Sequence, residues 1–85
     1  LATTTIGEIP EDSPAYGRIE GVMVYELARG SRAWNAGLRK GDIITSVNRR
    51  STPSVSAFLS LVNQAKGQLL LGVQRGAQAA FIIIK

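Results

Sequence analysis

The sequence predicts a small α+β domain, mainly β, with two helices set against a partly open barrel or sandwich. Three observations carry this. Residues 21–27, 42–48, 68–75 and 79–85 are short apolar, largely β-branched or aliphatic stretches separated by turn-forming residues. Only Val55–Gln64 shows apolar residues at sustained helical spacing. Between them, residues 30–48 supply a helix start, a helix stop and a strand in immediate succession.

Residues 1–6 (LATTTI) are β-branched enough for an edge strand, and residues 7–20, with Gly7, Pro10, Pro14, Gly17 and mixed charge, read as a loop. Gly21–Leu27 favours a strand, and Ala28-Arg29-Gly30 a turn. Ser31 is placed to cap a one-turn helix, because its hydroxyl can accept from an amide that has no intrahelical partner. Gly37 stops that helix where a left-handed residue is needed, and Leu38 drops into the core. Gly41-Asp42 turns the chain into a buried strand over Asp42–Asn48, and residues 49–53 read as a polar connection. Ser54 caps the second helix, Val55–Gln64, which Gly67 closes. Residues 68–75 and 79–85 form a hairpin through Gly76-Ala77-Gln78. Its last strand, Phe81-Ile82-Ile83-Ile84, needs cover on both sides, and pairing with residues 1–6 is the expected solution.

Composition narrows the function. With 85 residues the chain makes one domain, 1–85, comprising an edge strand and loop over 1–20 and a core over 21–85; its start at Leu1 suggests a cut within a longer protein. There is no Cys and no His, which removes disulfides, the commonest metal ligands, a Ser-His-Asp triad and a cysteine nucleophile. No catalytic residue, metal site or cofactor is therefore expected. No apolar run approaches the roughly 20 residues that span a bilayer, so direct membrane insertion is not expected. The net charge is +4, and Glu8, Glu11, Asp12, Glu20 and Glu26 concentrate the acids early. The basic residues lie on several elements without an aromatic ladder, so a solvated surface is preferred to a nucleic-acid partner.

The order of signals in GSRAWNAGLRKGDIITSVN, residues 30–48, resembles the middle of a bacterial PDZ domain, and LLLGVQRGAQAAFIIIK resembles its closing hairpin. The likeness is greatest to the C-terminal PDZ domain of the protease Do (HtrA-type) periplasmic serine proteases. It implies a circularly permuted PDZ strand order and a non-catalytic interaction module of a periplasmic protein-quality-control protease with chaperone character. The implied partners are other subunits of that protease and unfolded or C-terminal peptide segments, captured by strand addition. By the same resemblance, Ile19, Glu20, Gly21 and Val22 would form the peptide-carboxylate loop, and Val22, Met23 and Val24 the peptide-pairing strand. Val55, Leu59 and Val62 would line the groove from the helix, though their spacing alone fits a plain core better. Two residues depart from the pattern. Glu20 would oppose a terminal carboxylate, and Trp34 stands where a small residue is usual, either anchoring another subunit or lying flat on its own domain. They motivate an alternative, a purely structural oligomerisation domain with an unused groove.

Overall fold

A computed structural model describes residues 3–85. The chain forms β1 (Thr4–Glu8), β2 (Val22–Leu27), α1 (Arg32–Ala36), β3 (Ile43–Val47), β4 (Arg50–Ser51), α2 (Val55–Gln64), β5 (Leu69–Arg75) and β6 (Gln78–Ile84). One antiparallel sheet runs β1-β2-β3-β5-β6, with β4 pairing β3 off that path. The sheet is open rather than closed, and the mainly-β, two-helix architecture agrees with the sequence.

Both helix starts form as their sequences dictate. The Ser31 hydroxyl accepts from the Trp34 amide at 3.2 Å, and the Ser54 hydroxyl from the Ala57 amide at 3.2 Å. Gly37 takes the left-handed conformation at φ 112°, and its amide donates back to the Trp34 carbonyl. Leu38 follows, fully buried. Helix α2 ends at Gln64, three residues short of Gly67, with Ala65 already extended. The core gathers Val22 and Val24 from β2, Ala33 from α1, Ile44 and Val47 from β3, Phe58 from α2, and Leu71, Val73, Ile82 and Ile84 from the last hairpin.

An ion pair between a buried carboxylate and a half-exposed guanidinium ties the α1–β3 corner to the end of β5. Asp42, only 2% exposed, receives Arg75 Nε at 2.7 Å and Arg75 Nη2 at 2.6 Å, and its Oδ2 also accepts the Arg39 amide at 2.8 Å. Arg75 Nη2 further donates to the Gly37 carbonyl. Hydrogen bonding to Asp42, reinforced by its charge, raises the Arg75 pKa above its ordinary value despite partial desolvation.

Two expectations need correcting. The segment 49–53 is not merely a connection: Asn48 (φ 50°) and Arg49 (φ 71°) make a tight turn that returns Arg50–Ser51 to β3. Behind it Thr52 is fully buried, its hydroxyl donating to the Ile44 carbonyl at 2.8 Å. Residues 81–84 do not pair with residues 1–6, of which 1 and 2 lie outside the described residues. Strand β1 pairs β2 instead, so β1 and β6 stand at opposite ends of the sheet. The physical reason is alternation. Ile82 and Ile84 point into the core, whereas Phe81 and Ile83 remain 73% and 51% exposed. Apolar composition suggested burial on both faces, but only one face is covered.

Candidate functional site

The sheet edge next to α2 belongs to β1. On one side β1 pairs β2 antiparallel through Thr4↔Leu27, Thr5↔Glu26, Ile6↔Val24, Gly7↔Met23 and Glu8↔Val22, with a bulge between Thr5 and Ile6. Its other edge pairs with no strand among the described residues. Ile6 packs toward the core together with Val55, Leu61 and Val62, which sets α2 beside the strand. Glu8 joins the two elements directly, its Oε2 accepting the Val55 amide at 3.0 Å. That amide belongs to the first turn of α2 and has no intrahelical acceptor, so the carboxylate both caps the helix and pins it to β1.

The helix residues fall as the spacing requires. Phe58 is buried, Val55 and Val62 are half-buried, and Leu59 is 51% exposed. Val55, Leu59 and Val62 share one face. Leu61 is only half-buried, beside Val47 and Arg50 of the β3–β4 turn.

The residues expected to pair with a peptide are used otherwise. Val22 and Met23 face Glu8 and Gly7 on one side and Ile44 and Ile43 on the other, and the Val24 amide donates to the Asp42 carbonyl at 2.9 Å. Val22–Met23–Val24 thus lies inside the sheet, with both edges occupied by its own chain, and cannot accept a foreign strand. Gly21 is buried, and a Cβ there would come within 2.7 Å of the Ile44 carbonyl oxygen. Its smallness lets β2 approach β3. Ile19 and Glu20 sit at the far end of β1 instead, lining a cleft with Glu8, Ile9, Tyr16 and Pro53. The resemblance implies a pairing strand after the 9–20 loop, whereas the strand order puts the stretch before that loop at the sheet edge.

Trp34 is half-buried, with the Arg39 guanidinium 3.7 Å from its ring centroid and Arg29 at 5.5 Å. Arg39 Nη1 also donates to the Trp34 and Leu38 carbonyls at 2.8 and 2.7 Å. At the head of β1, Thr3 and Thr4 border a second cleft, of about 520 Å³, together with Arg29, Ser31 and Arg32.

A family model described as PDZ domain matches residues 23–75. The chain belongs to the PDZ family. The PDZ domain is 33% identical over 87 residues to the magnetosome formation protease MamE of Magnetospirillum gryphiswaldense, covering 99% of this chain and 11% of that protein. It is 26% identical over 69 residues to the periplasmic serine endoprotease DegP of Escherichia coli K12, covering 81% and 15%. It is 29% identical over 85 residues to the mouse serine protease HTRA4, covering 99% and 17%. Among solved structures it resembles the HtrA3 PDZ domain bound to a phage-derived ligand, FGRWV, with a TM-score of 0.81 and 28% identity, over 96% of this chain and 79% of that one. The chain therefore spans less than a fifth of these curated relatives' length. It corresponds to a non-catalytic module of HtrA/DegP-type proteases, and no helix in its described residues is long and apolar enough to cross a membrane.

Proposed function

We propose that this PDZ domain captures extended peptide segments by strand addition to the outer edge of β1, with Val55, Leu59 and Val62 receiving the peptide's apolar side chains. The carrying observation is the juxtaposition of a strand edge that pairs with no other strand among the described residues and a helix face with an exposed leucine. An edge strand offers amides and carbonyls at fixed spacing, which supplies register; the helix supplies selectivity. Relocating the pairing strand from 22–24 to 4–8 keeps the mechanism and changes its address. The HtrA3 domain, solved with a peptide ligand, supports the reading. So do the names of the DegP relatives, for a parent protein that is a periplasmic serine endoprotease, whose substrates this module would hold near the protease. Binding to an isolated domain should be weak, roughly 10 µM or poorer. Titration with peptides apolar at the last and third-last positions tests this. Binding that survives Leu59→Asp unchanged removes α2 from the site.

Subunit assembly is the second reading, favoured by Phe81 and Ile83, which are 73% and 51% exposed at the opposite edge. Loss of oligomers in the full-length protein carrying Phe81→Lys supports it, and unchanged oligomers refute it.

A further inference from the structure

The two ends of β1 carry opposite charge, and the acidic end has a fixed geometry. At the head, Thr3 and Thr4 share a cleft with Arg29 and Arg32, where Arg32 also donates to the Lys85 carbonyl and Arg29 lies 5.5 Å from the Trp34 ring centroid. At the tail, a cleft of about 560 Å³ is lined by Glu8, Ile9, Tyr16, Ile19, Glu20 and Pro53. Glu8 is held by the Val55 amide through Oε2, so its carboxylate is positioned before any ligand arrives. Tyr16 presents a ring that is 54% exposed. Among the described residues the ion pairs are Lys40–Glu26 and Arg75–Asp42, leaving Glu8 and Glu20 without a cation.

Resting on the strand-addition reading above, we propose that Glu8 is a specificity-determining residue. With Glu20 and Tyr16 it selects a peptide carrying a lysine or arginine at the fifth position from its carboxyl end. The head of β1 sets the direction. A free carboxylate is favoured beside Arg29 and Arg32, so the peptide runs antiparallel to β1 with its last residue near Thr4. Strands advance about 3.3 Å per residue, so four residues upstream lie about 13 Å along, beside Glu8. Side chains alternate, so the last, third-last and fifth-last share the face toward α2. The first two meet Val62, Leu59 and Val55. The fifth meets the Glu8 carboxylate at the helix start, with Glu20 and the Tyr16 ring within the same cleft. Glu20, which looked adverse to peptide binding beside a terminal carboxylate, becomes favourable at the opposite end of the groove.

The test uses three peptides that differ only in lysine, glutamine or glutamate at the fifth-last position, titrated into the domain at low and high salt. The expected result is that the lysine peptide binds about fivefold tighter than the glutamine peptide and the glutamate peptide weakest, with the spread shrinking as salt rises. In Glu8→Gln/Glu20→Gln the ratio of lysine-peptide to glutamine-peptide affinity should fall to about one, glutamine retaining an acceptor for the Val55 amide. Circular dichroism of that variant checks that α2 is intact. Equal binding of all three peptides overturns the charge readout and leaves the groove standing. Persistence of the lysine preference in the double variant also overturns it. Binding of none of the three overturns the groove itself.

Discussion

Replacing Asp42 with asparagine keeps the shape of the side chain and removes its charge. The carboxylate is 2% exposed and accepts three hydrogen bonds, two from Arg75 and one from the Arg39 amide. Asparagine can satisfy one or two of these through its oxygen, but its NH2 group then faces a guanidinium donor. Breaking a buried pair typically costs about 3–5 kcal/mol, most of it from the charge left stranded. Here the partner is not stranded, because the Arg75 side chain is 51% exposed and can rehydrate. The residual cost is that of charge-assisted bonds lost at a buried acceptor, about 2–3 kcal/mol. For a domain of this size that lowers Tm by about 10–20 °C. Urea unfolding of the wild type, Asp42→Asn, Arg75→Gln and the double variant gives the cycle. The two substitutions should be non-additive by at least about 1 kcal/mol. A loss below about 0.5 kcal/mol for Asp42→Asn, or additive effects, would refute the view that this pair clamps α1 and β3 to β5.

Other consequences are as direct. Arg49 sits at φ 71°, a backbone region costly for residues with a Cβ, so Arg49→Gly should raise stability by about 0.5–1 kcal/mol in urea melts. Phe58→Ala removes the large side chain that anchors α2 in the core and should cost about 3–4 kcal/mol, whereas Leu59→Asp on the exposed face should cost less than about 1 kcal/mol. The Arg75 pKa is raised on folding, so its contribution is complete below arginine's ordinary value and is lost only as pH climbs through the folded one. Stability measured from pH 6 to 9 should therefore show no slope from this group. Ile83→Lys at the β6 edge should leave Tm unchanged and slow aggregation on prolonged warming, read by light scattering.

What the sequence revealed was local. Ser31, Gly37 and Leu38 specify the first helix within eight residues, since capping and a left-handed stop are decided by neighbours. Ser54 and the spacing of Phe58 did the same for α2. What it concealed depends on partners far along the chain. Asp42 and Arg75 are 33 residues apart, and neither signals the other. The choice between β1 and β2 as the open edge is a matter of strand order, which alternating hydrophobicity does not encode. Asn48-Arg49 lacks the glycine that usually marks such a turn, so the sequence there reads as a polar linker and hides the β3–β4 reversal. The acidic tail of the groove was visible as separate residues, Glu8 and Glu20, but folding brings them into one cleft. The stacking of Arg39 on Trp34 was equally hidden, because helix, turn and loop geometry together place it.

Amide-resolved NMR of the domain with an apolar-ended peptide tests the open edge most directly. Intermolecular contacts should run along the Thr4–Glu8 backbone, with new hydrogen-exchange protection there and side-chain contacts to Leu59. Contacts confined to Phe81–Ile84, or peptide binding that leaves the Thr4–Glu8 amides unprotected, would contradict it.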